Sequence, residues 1–248
     1  MTAPVVLITG ALAGIGRATA LAFARQGARL VVSGRSDDVG ATLVRELHEL
    51  GAEAEFVRAD VRQEADVEAL VDRAVARFGR LDIAINNAGT EGQPAPLTAQ
   101  TAATYAATFD TNVLGTIFSL KHELRVMLAQ GSGSIVNLSS TMGHRGNANA
   151  GLYVASKHAV EGLTRTAALE GAAAGVRVNA VAPGPIDTDM LTRFAGDAER
   201  KNGLAAGVPM KRLGRPEEIA QAIVFVASDQ AGFLTGQVID VNGGKTAF

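Results

Sequence analysis

The stretch Val5-Val6-Leu7-Ile8-Thr9-Gly10-Ala11-Leu12-Ala13-Gly14-Ile15-Gly16 sets the tightest limit on what this chain can fold into. A short apolar run breaks into three glycines and then into a helical pattern from Arg17 to Gln26. A buried strand that delivers a glycine-rich turn to a helix N-terminus makes a site for a phosphate or pyrophosphate, because free amides and the helix dipole converge there. Gly10 allows the tight turn, Gly14 a close backbone approach to a ligand, and Gly16 close packing of the helix. The spacing is G-x3-G-x-G and lacks the Lys-Ser/Thr ending of a nucleoside-triphosphate loop. On these residues alone a nucleotide site and a purely structural turn both stand.

The rhythm set there continues. Arg29 to Ser33 reads as a second strand and Val39 to Leu50 as a helix, with apolar residues at Val39, Leu43, Leu47 and Leu50. Glu53 to Ala59 is the third strand, Glu64 to Phe78 the third helix, and Leu81 to Ile85 a fourth strand running into Asn86-Asn87-Ala88-Gly89. After a polar loop from Thr90 to Pro96, helices are expected over Thr98 to Asn112 and Val113 to Gln130. Ser134 to Leu138 is the fifth strand, Gly151 to Ala174 a long helix and Val176 to Val181 the sixth strand, broken by Pro183-Gly184-Pro185. A mobile helical insertion over Thr188 to Pro209 precedes a helix from Pro216 to Ala227 and a last strand from Gln237 to Val241. Strands apolar at most positions belong to a parallel sheet covered on both faces. The expected fold is therefore α/β: one doubly wound, Rossmann-like domain over residues 1–248 with a mainly parallel seven-stranded sheet, and 188–209 as substrate lid.

Composition narrows the function. Of the 248 residues 47% are hydrophobic and only 19% charged, and the formal net charge of -2 carries no basic surplus for binding nucleic acid. Cysteine is absent, which excludes disulfides and thiolate catalysis. Met1 runs almost directly into the first strand, and no apolar run approaches membrane-spanning length. A cytoplasmic protein without membrane partners is expected.

Chemistry gathers in the second half. Ser139 directly follows the fifth strand, where α/β sheets display functional groups. Tyr153 and Lys157 share one face of the following helix. A phenol with a pKa of about 10 is a poor base near neutrality. A neighbouring ammonium favours its phenolate, and in the reverse direction the phenol can give its proton to a developing alkoxide. Ser139 can donate a hydrogen bond to the same oxygen. His144 and His158 have no metal-ligand spacing with Glu161, and no metal is expected.

Taken in order, Thr9-Gly10-x3-Gly14-Ile15-Gly16, Asn86-Asn87-Ala88-Gly89, Asn112, Ser139, Tyr153-x3-Lys157 and Pro183-Gly184 resemble the signature of the classical short-chain dehydrogenase/reductase family over nearly the whole chain. The resemblance implies a nicotinamide-dependent oxidoreductase interconverting a secondary alcohol and a ketone by hydride transfer. It makes Tyr153 the acid/base, has Ser139 orient the carbonyl or alcohol, and sets Lys157 on the nicotinamide ribose. Asn112 would hold, through a backbone distortion, a water linking Lys157 to solvent. Asp60 would lie beside the adenine amino group, Asn86 and Ala88 along the adenosine ribose, and Ile186 and Thr188 at the nicotinamide carboxamide. Leu12, Ala13, Ile15, Val61, Pro183 and Gly184 complete the implied cofactor contacts. A homotetramer is also implied.

Cofactor choice turns on Ser33-Gly34-Arg35-Ser36. An acid at the end of the second strand favours a free ribose 2′-hydroxyl, whereas Arg accommodates a 2′-phosphate. Gly34 stands where NAD-preferring relatives often carry Asp, and Arg35 supplies a cation, so NADP(H) is favoured, with NAD(H) open through Asp37 or Asp38. The small-molecule pocket is expected to draw on Ser139, Thr141, Met142, His144, Asn147, Leu152, Tyr153, Pro185, Met190, Leu191 and Phe194, a mostly apolar rim suited to an alcohol or carbonyl substrate. A 3-oxoacyl reductase, with Arg125, Arg145 or Arg193 serving a carrier, and a nucleotide-sensing regulatory protein are the alternatives.

Overall fold

A computed structural model describes residues 3–247; Met1, Thr2 and Phe248, included above in the single domain, lie outside the described residues. Seven strands, β1 (Val5–Thr9), β2 (Arg29–Gly34), β3 (Ala54–Arg58), β4 (Ile83–Asn86), β5 (Gly133–Leu138), β6 (Val176–Pro183) and β7 (Val238–Val241), form one sheet in the order β3-β2-β1-β4-β5-β6-β7. Every neighbouring pair is parallel. Side-chain alternation along the strands divides the core. Val6 and Ile8 of β1 pack with Phe23 of α1 (Gly14–Arg25), Leu43 and Leu47 of α2 (Asp37–Glu49) and Ile219 and Ile223 of α9 (Pro216–Ala227). Leu7, between them, faces the opposite layer with Leu70 of α3 (Glu64–Phe78), Met127 of α5 (Gly115–Gln130) and Ala167 of α6 (Gly151–Gly171).

The expected single domain is found, with shifts at three joints. The helix expected over Thr98 to Asn112 begins later, as α4 (Ala102–Phe109), because Thr101 and Thr104 form a capping box there. Instead of a clean second helix from Val113, a π-helical turn spans Asp110–Leu114 before α5. In place of one insertion, α7 (Asp189–Ala195) and α8 (Ala198–Ala206) form separately, their N-termini capped by the side chains of Thr188 and Asp197.

The chain leaves β1 toward β2 on one side and later places β4 on the other. Their carboxyl ends therefore diverge into a crevice, the place where open parallel sheets take their ligands. None of the helices formed by the described residues is long and apolar enough to cross a membrane.

Candidate active site

The crevice is built first by backbone. Gly10 and Gly14 adopt φ of +63° and +53°, and a Cβ on Gly10 would stand 2.8 Å from the Ala88 Cα. Both residues must therefore lack a side chain. A Cβ on Gly16 would run into the Gly10 carbonyl and the Asn87 amide, so Gly16 seats α1 on the turn and does not line the cleft. Asn87 Nδ2 donates to the carbonyls of Thr9 (3.1 Å) and Gly10 (2.9 Å), bolting the end of β4 to the glycine turn. Asn86, expected at the ribose, is instead buried. Its Nδ2 donates to Glu123 Oε2 (2.9 Å) and Asn137 Oδ1 (3.0 Å), because its place in β4 aims it between the sheet and α5.

The resulting cleft, of about 580 Å³, runs from the glycine turn to Gly34, Arg35, Asp60 and Val61, with Leu12, Ala13, Gly14, Ile15, Ala88 and Thr188 on its walls. Arg62 Nε clamps both Asp60 oxygens at 2.9 and 3.0 Å, and this hydrogen bonding holds the carboxyl below its ordinary range. Asp37 faces Arg58 at 3.5 Å, while Arg35 has no hydrogen-bond or ion-pair partner among the described residues. A Cβ on Gly34 would lie 2.5 Å from Leu12, so an acid could enter this position only by displacing Leu12. A glycine turn at a helix N-terminus, a free guanidinium and a cleft of this length fit a dinucleotide.

A second cavity of about 180 Å³ shares Ile15, Asn87, Gly89, Thr90, Thr188 and Met190 with the first. Pro183, Gly184, Pro185 and Ile186 border it on one side, and Thr141, Met142, Asn147, Leu191 and Phe194 belong to its wall. Tyr153 and Lys157 enter from α6, with the Lys157 ammonium 5.7 Å from the Tyr153 ring centre and donating to the Leu138 carbonyl at 2.6 Å. Burial pushes the Tyr153 phenol up to about 12 and the Lys157 ammonium down to about 8. Desolvation thus governs the phenol, in place of the lowering expected from Lys157. A hydrogen bond with Ser140 opposes the rise, and the charge of Glu91 adds to it.

Ser139 lines the pocket as expected, but its hydroxyl is engaged away from Tyr153. Its hydroxyl donates to the buried Glu161 carboxylate at 2.8 Å, whereas Ser140 is the serine that reaches the Tyr153 phenol. Alternation explains the swap: Ile135 and Asn137 of β5 point toward α6, and Ser139 continues their side. His144 and Leu152 do not line the pocket. The His144 ring is drawn to Glu161 (3.1 Å) and to Asp240 (3.3 Å).

Asn112 is buried in the π turn. Its side chain accepts from the Thr90 amide (2.8 Å) and donates to the Thr90 carbonyl (2.9 Å) and Ser156 Oγ (3.0 Å), joining the loop after β4 to α6. Its carbonyl accepts from Thr116 Oγ1 at 2.8 Å. Sequence reasoning also missed Glu91, Leu204 and Lys245, which fall in the pocket from outside any recognised motif. Arg125, Arg145 and Arg193, considered for a carrier, bind Asp72, the Lys245 carbonyl and Glu91.

Comparison with known proteins follows the same lines. A family model described as enoyl-(acyl carrier protein) reductase matches residues 10–246. The chain is 45% identical over 246 residues to cis-4-hydroxycyclohexanecarboxylate dehydrogenase of Sinomonas cyclohexanicum, spanning 98% of this chain and 96% of that protein. It is 40% identical over 243 residues to cyclohexanol dehydrogenase of Acinetobacter sp. strain SE19, spanning 98% and 95%. The solved structure of ElxO with NADP bound superposes with a TM-score of 0.93 at 34% identity, covering 100% of both chains.

Proposed function

The chain belongs to the classical short-chain dehydrogenase/reductase family, and from that membership we propose that it interconverts ring-bearing secondary alcohols and their ketones with NADP(H) as preferred cofactor. It is a nicotinamide-dependent oxidoreductase of alcohols and ketones. The observation that carries the narrower reading is the meeting of Tyr153, Ser140 and Lys157 in a mostly apolar pocket continuous with a dinucleotide-sized cleft. Two relatives whose names specify six-membered carbocycles support the ring.

The turn from Gly10 to Gly16 and the N-terminus of α1 would hold the pyrophosphate, Arg35 the ribose 2′-phosphate, and Pro183, Gly184, Ile186 and Thr188 the nicotinamide end. The bound nicotinamide supplies the hydride acceptor or donor. Tyr153, protonated at neutral pH, gives its proton to the substrate oxygen as that oxygen becomes alkoxide-like during reduction. Ser140 hydrogen-bonds the same oxygen, in the role first given to Ser139. The Lys157 ammonium stabilises the tyrosinate left behind. NADP(H) is further supported by the unpaired Arg35, by Asp37 facing Arg58, and by the bound cofactor in ElxO. A homotetramer is the proposed assembly.

Cyclohexanone, cyclohexanol and an acetoacetyl thioester, each assayed with both cofactors and with product analysis, test this reading. Cyclohexanone reduction with higher kcat/KM for NADPH is expected, and Arg35→Ala should lose about 10-fold or more with NADPH alone. Turnover confined to the thioester would select a 3-oxoacyl reductase. Stoichiometric cofactor binding without any turnover would select a nucleotide sensor. Gly34→Asp is a poor probe of cofactor choice because it collides with Leu12.

A further inference from the structure

Among the described residues three charged side chains line the pocket, and two are already answered. Glu91 receives Arg193 Nε at 2.7 Å, and Lys157 donates to Leu138 beside Tyr153. The third, Lys245, is half-buried, and its ammonium has no hydrogen-bond or ion-pair partner among the described residues. Its backbone is nonetheless fixed. The Lys245 amide donates to Asn242 Oδ1 at 2.9 Å, its carbonyl accepts from Arg145, and the preceding strand accepts the Gly184 amide at 3.0 Å. The C-terminal segment is thereby pinned to the Pro183-Gly184 side of the pocket.

Capping a helix does not account for the free ammonium. It lies near the end of α8, where a Cβ on Gly207 would stand 3.9 Å from Nζ. Lys211 already donates to the Ala206 carbonyl there at 3.0 Å. The Lys245 ammonium belongs to a wall that also holds the apolar Met190, Leu191, Phe194 and Leu204, and it has no acceptor of its own among the described residues.

Resting on the alcohol and ketone reading of this pocket, we propose that Lys245 receives a carboxylate carried by the substrate, so that the substrate class is cyclic hydroxy acids and oxo acids. The reacting oxygen lies at Tyr153 and Ser140, the carbon ring against the apolar wall, and the carboxylate on Lys245. A neutral ring cannot supply the charge-assisted hydrogen bonds that this ammonium lacks.

The test separates binding from reaction. Cyclohexanecarboxylate, which has no alcohol or ketone to react, is titrated calorimetrically into the NADP-loaded protein, with cyclohexanecarboxamide as neutral control. The carboxylate should bind about 10- to 100-fold tighter than the amide, and Lys245→Met should erase that difference while Lys245→Arg keeps it. Equal affinities in the unaltered protein, or a preference that survives Lys245→Met, would overturn the assignment. Amide affinity that persists in Lys245→Met shows the pocket is still folded. In parallel, kcat/KM is compared for 4-oxocyclohexanecarboxylate and its carboxamide. Lys245-dependent carboxylate binding with neither ketone reduced would sink the reaction reading and leave Lys245 as an anion receptor. Equal reduction of both ketones would do the reverse.

Discussion

At the end of β5 the strand pleat decides which of two adjacent serines meets the reacting oxygen. Ser139 follows Ile135 and Asn137 toward α6 and donates its hydrogen bond to Glu161, leaving Ser140 to face Tyr153. Ser140→Ala is therefore expected to lower kcat by about 10²-fold, as when one donor to a developing oxyanion is removed, with Ser139→Ala costing less than about 10-fold. Steady-state kinetics on both variants decide it, and the opposite ranking would restore Ser139. Lys157 makes the second residue-scale prediction. Its pKa is pushed down to about 8 by burial, so the ammonium is present below that pH and lost above it, while the phenol near 12 stays protonated throughout. Ketone reduction should hold steady below about pH 8 and decline above it, because the tyrosinate left by proton donation then has no cation beside it. A kcat/KM profile flat to pH 10 would reject that role for Lys157.

Helix α5 carries an ionisable group into the interior that the chemistry does not use. Glu123 is 1% exposed, accepts only from Asn86 Nδ2, and faces a neighbour whose own oxygen, Asn86 Oδ1, has no partner among the described residues. Burial raises its carboxyl from 4.5 to about 7. A folded-state pKa above the unfolded one means that the native protein holds the proton more tightly. This contribution is fully present below about pH 4.5 and is lost as pH rises through about 7, a swing of about 3 kcal/mol. Glu123→Gln, which keeps an acceptor for Asn86, should raise Tm at pH 8 by several degrees more than at pH 5; equal shifts at the two pH values would show that Glu123 is not the proton-binding group. Sequence patterns located helices in proportion to their local signals. The limits of α9 were legible because Pro216 and Glu218 mark its start, and Ser228 leaves helical geometry at its end. The π turn at Asp110–Leu114 was foreshadowed only by the backbone distortion that the family resemblance implied at Asn112, since no Gly or Pro lies within it and the side-chain bonds of Asn112 to Thr90 and Ser156 are tertiary. Tyr153 and Lys157 were readable from helical spacing. Choosing between Ser139 and Ser140 needed the strand's parity carried past its last paired residue. Lys245 follows β7 in no motif and enters the pocket only through the packing of the C-terminal segment.

On the scale of the molecule, the sheet consumes the inward faces of its helices and leaves large apolar side chains outside. Tyr105 and Phe109 of α4 stack at 4.3 Å with Tyr105 half in water, Ile117 and Leu128 of α5 are each 39% exposed, and Leu169 of α6 is 83% exposed. Phe225 of α9 and Phe233 beyond it add to this surface. A formal net charge of -2 offers little repulsion between copies, and full burial of each such side chain is worth about 1.5–3 kcal/mol. Because α4 and α5 pack with α6 in one layer while α9 packs with α1 in the other, the two sets suit two different contacts, which is what a tetramer with crossed two-fold axes requires. Light scattering over a range of protein concentrations should report four chains. Ile117→Glu, which puts a charge on a partly exposed face of α5, should reduce the mass to two chains while circular dichroism stays unchanged. A wild-type monomer at assay concentrations, or an Ile117→Glu variant that still scatters as four chains, would exclude α5 from the assembly.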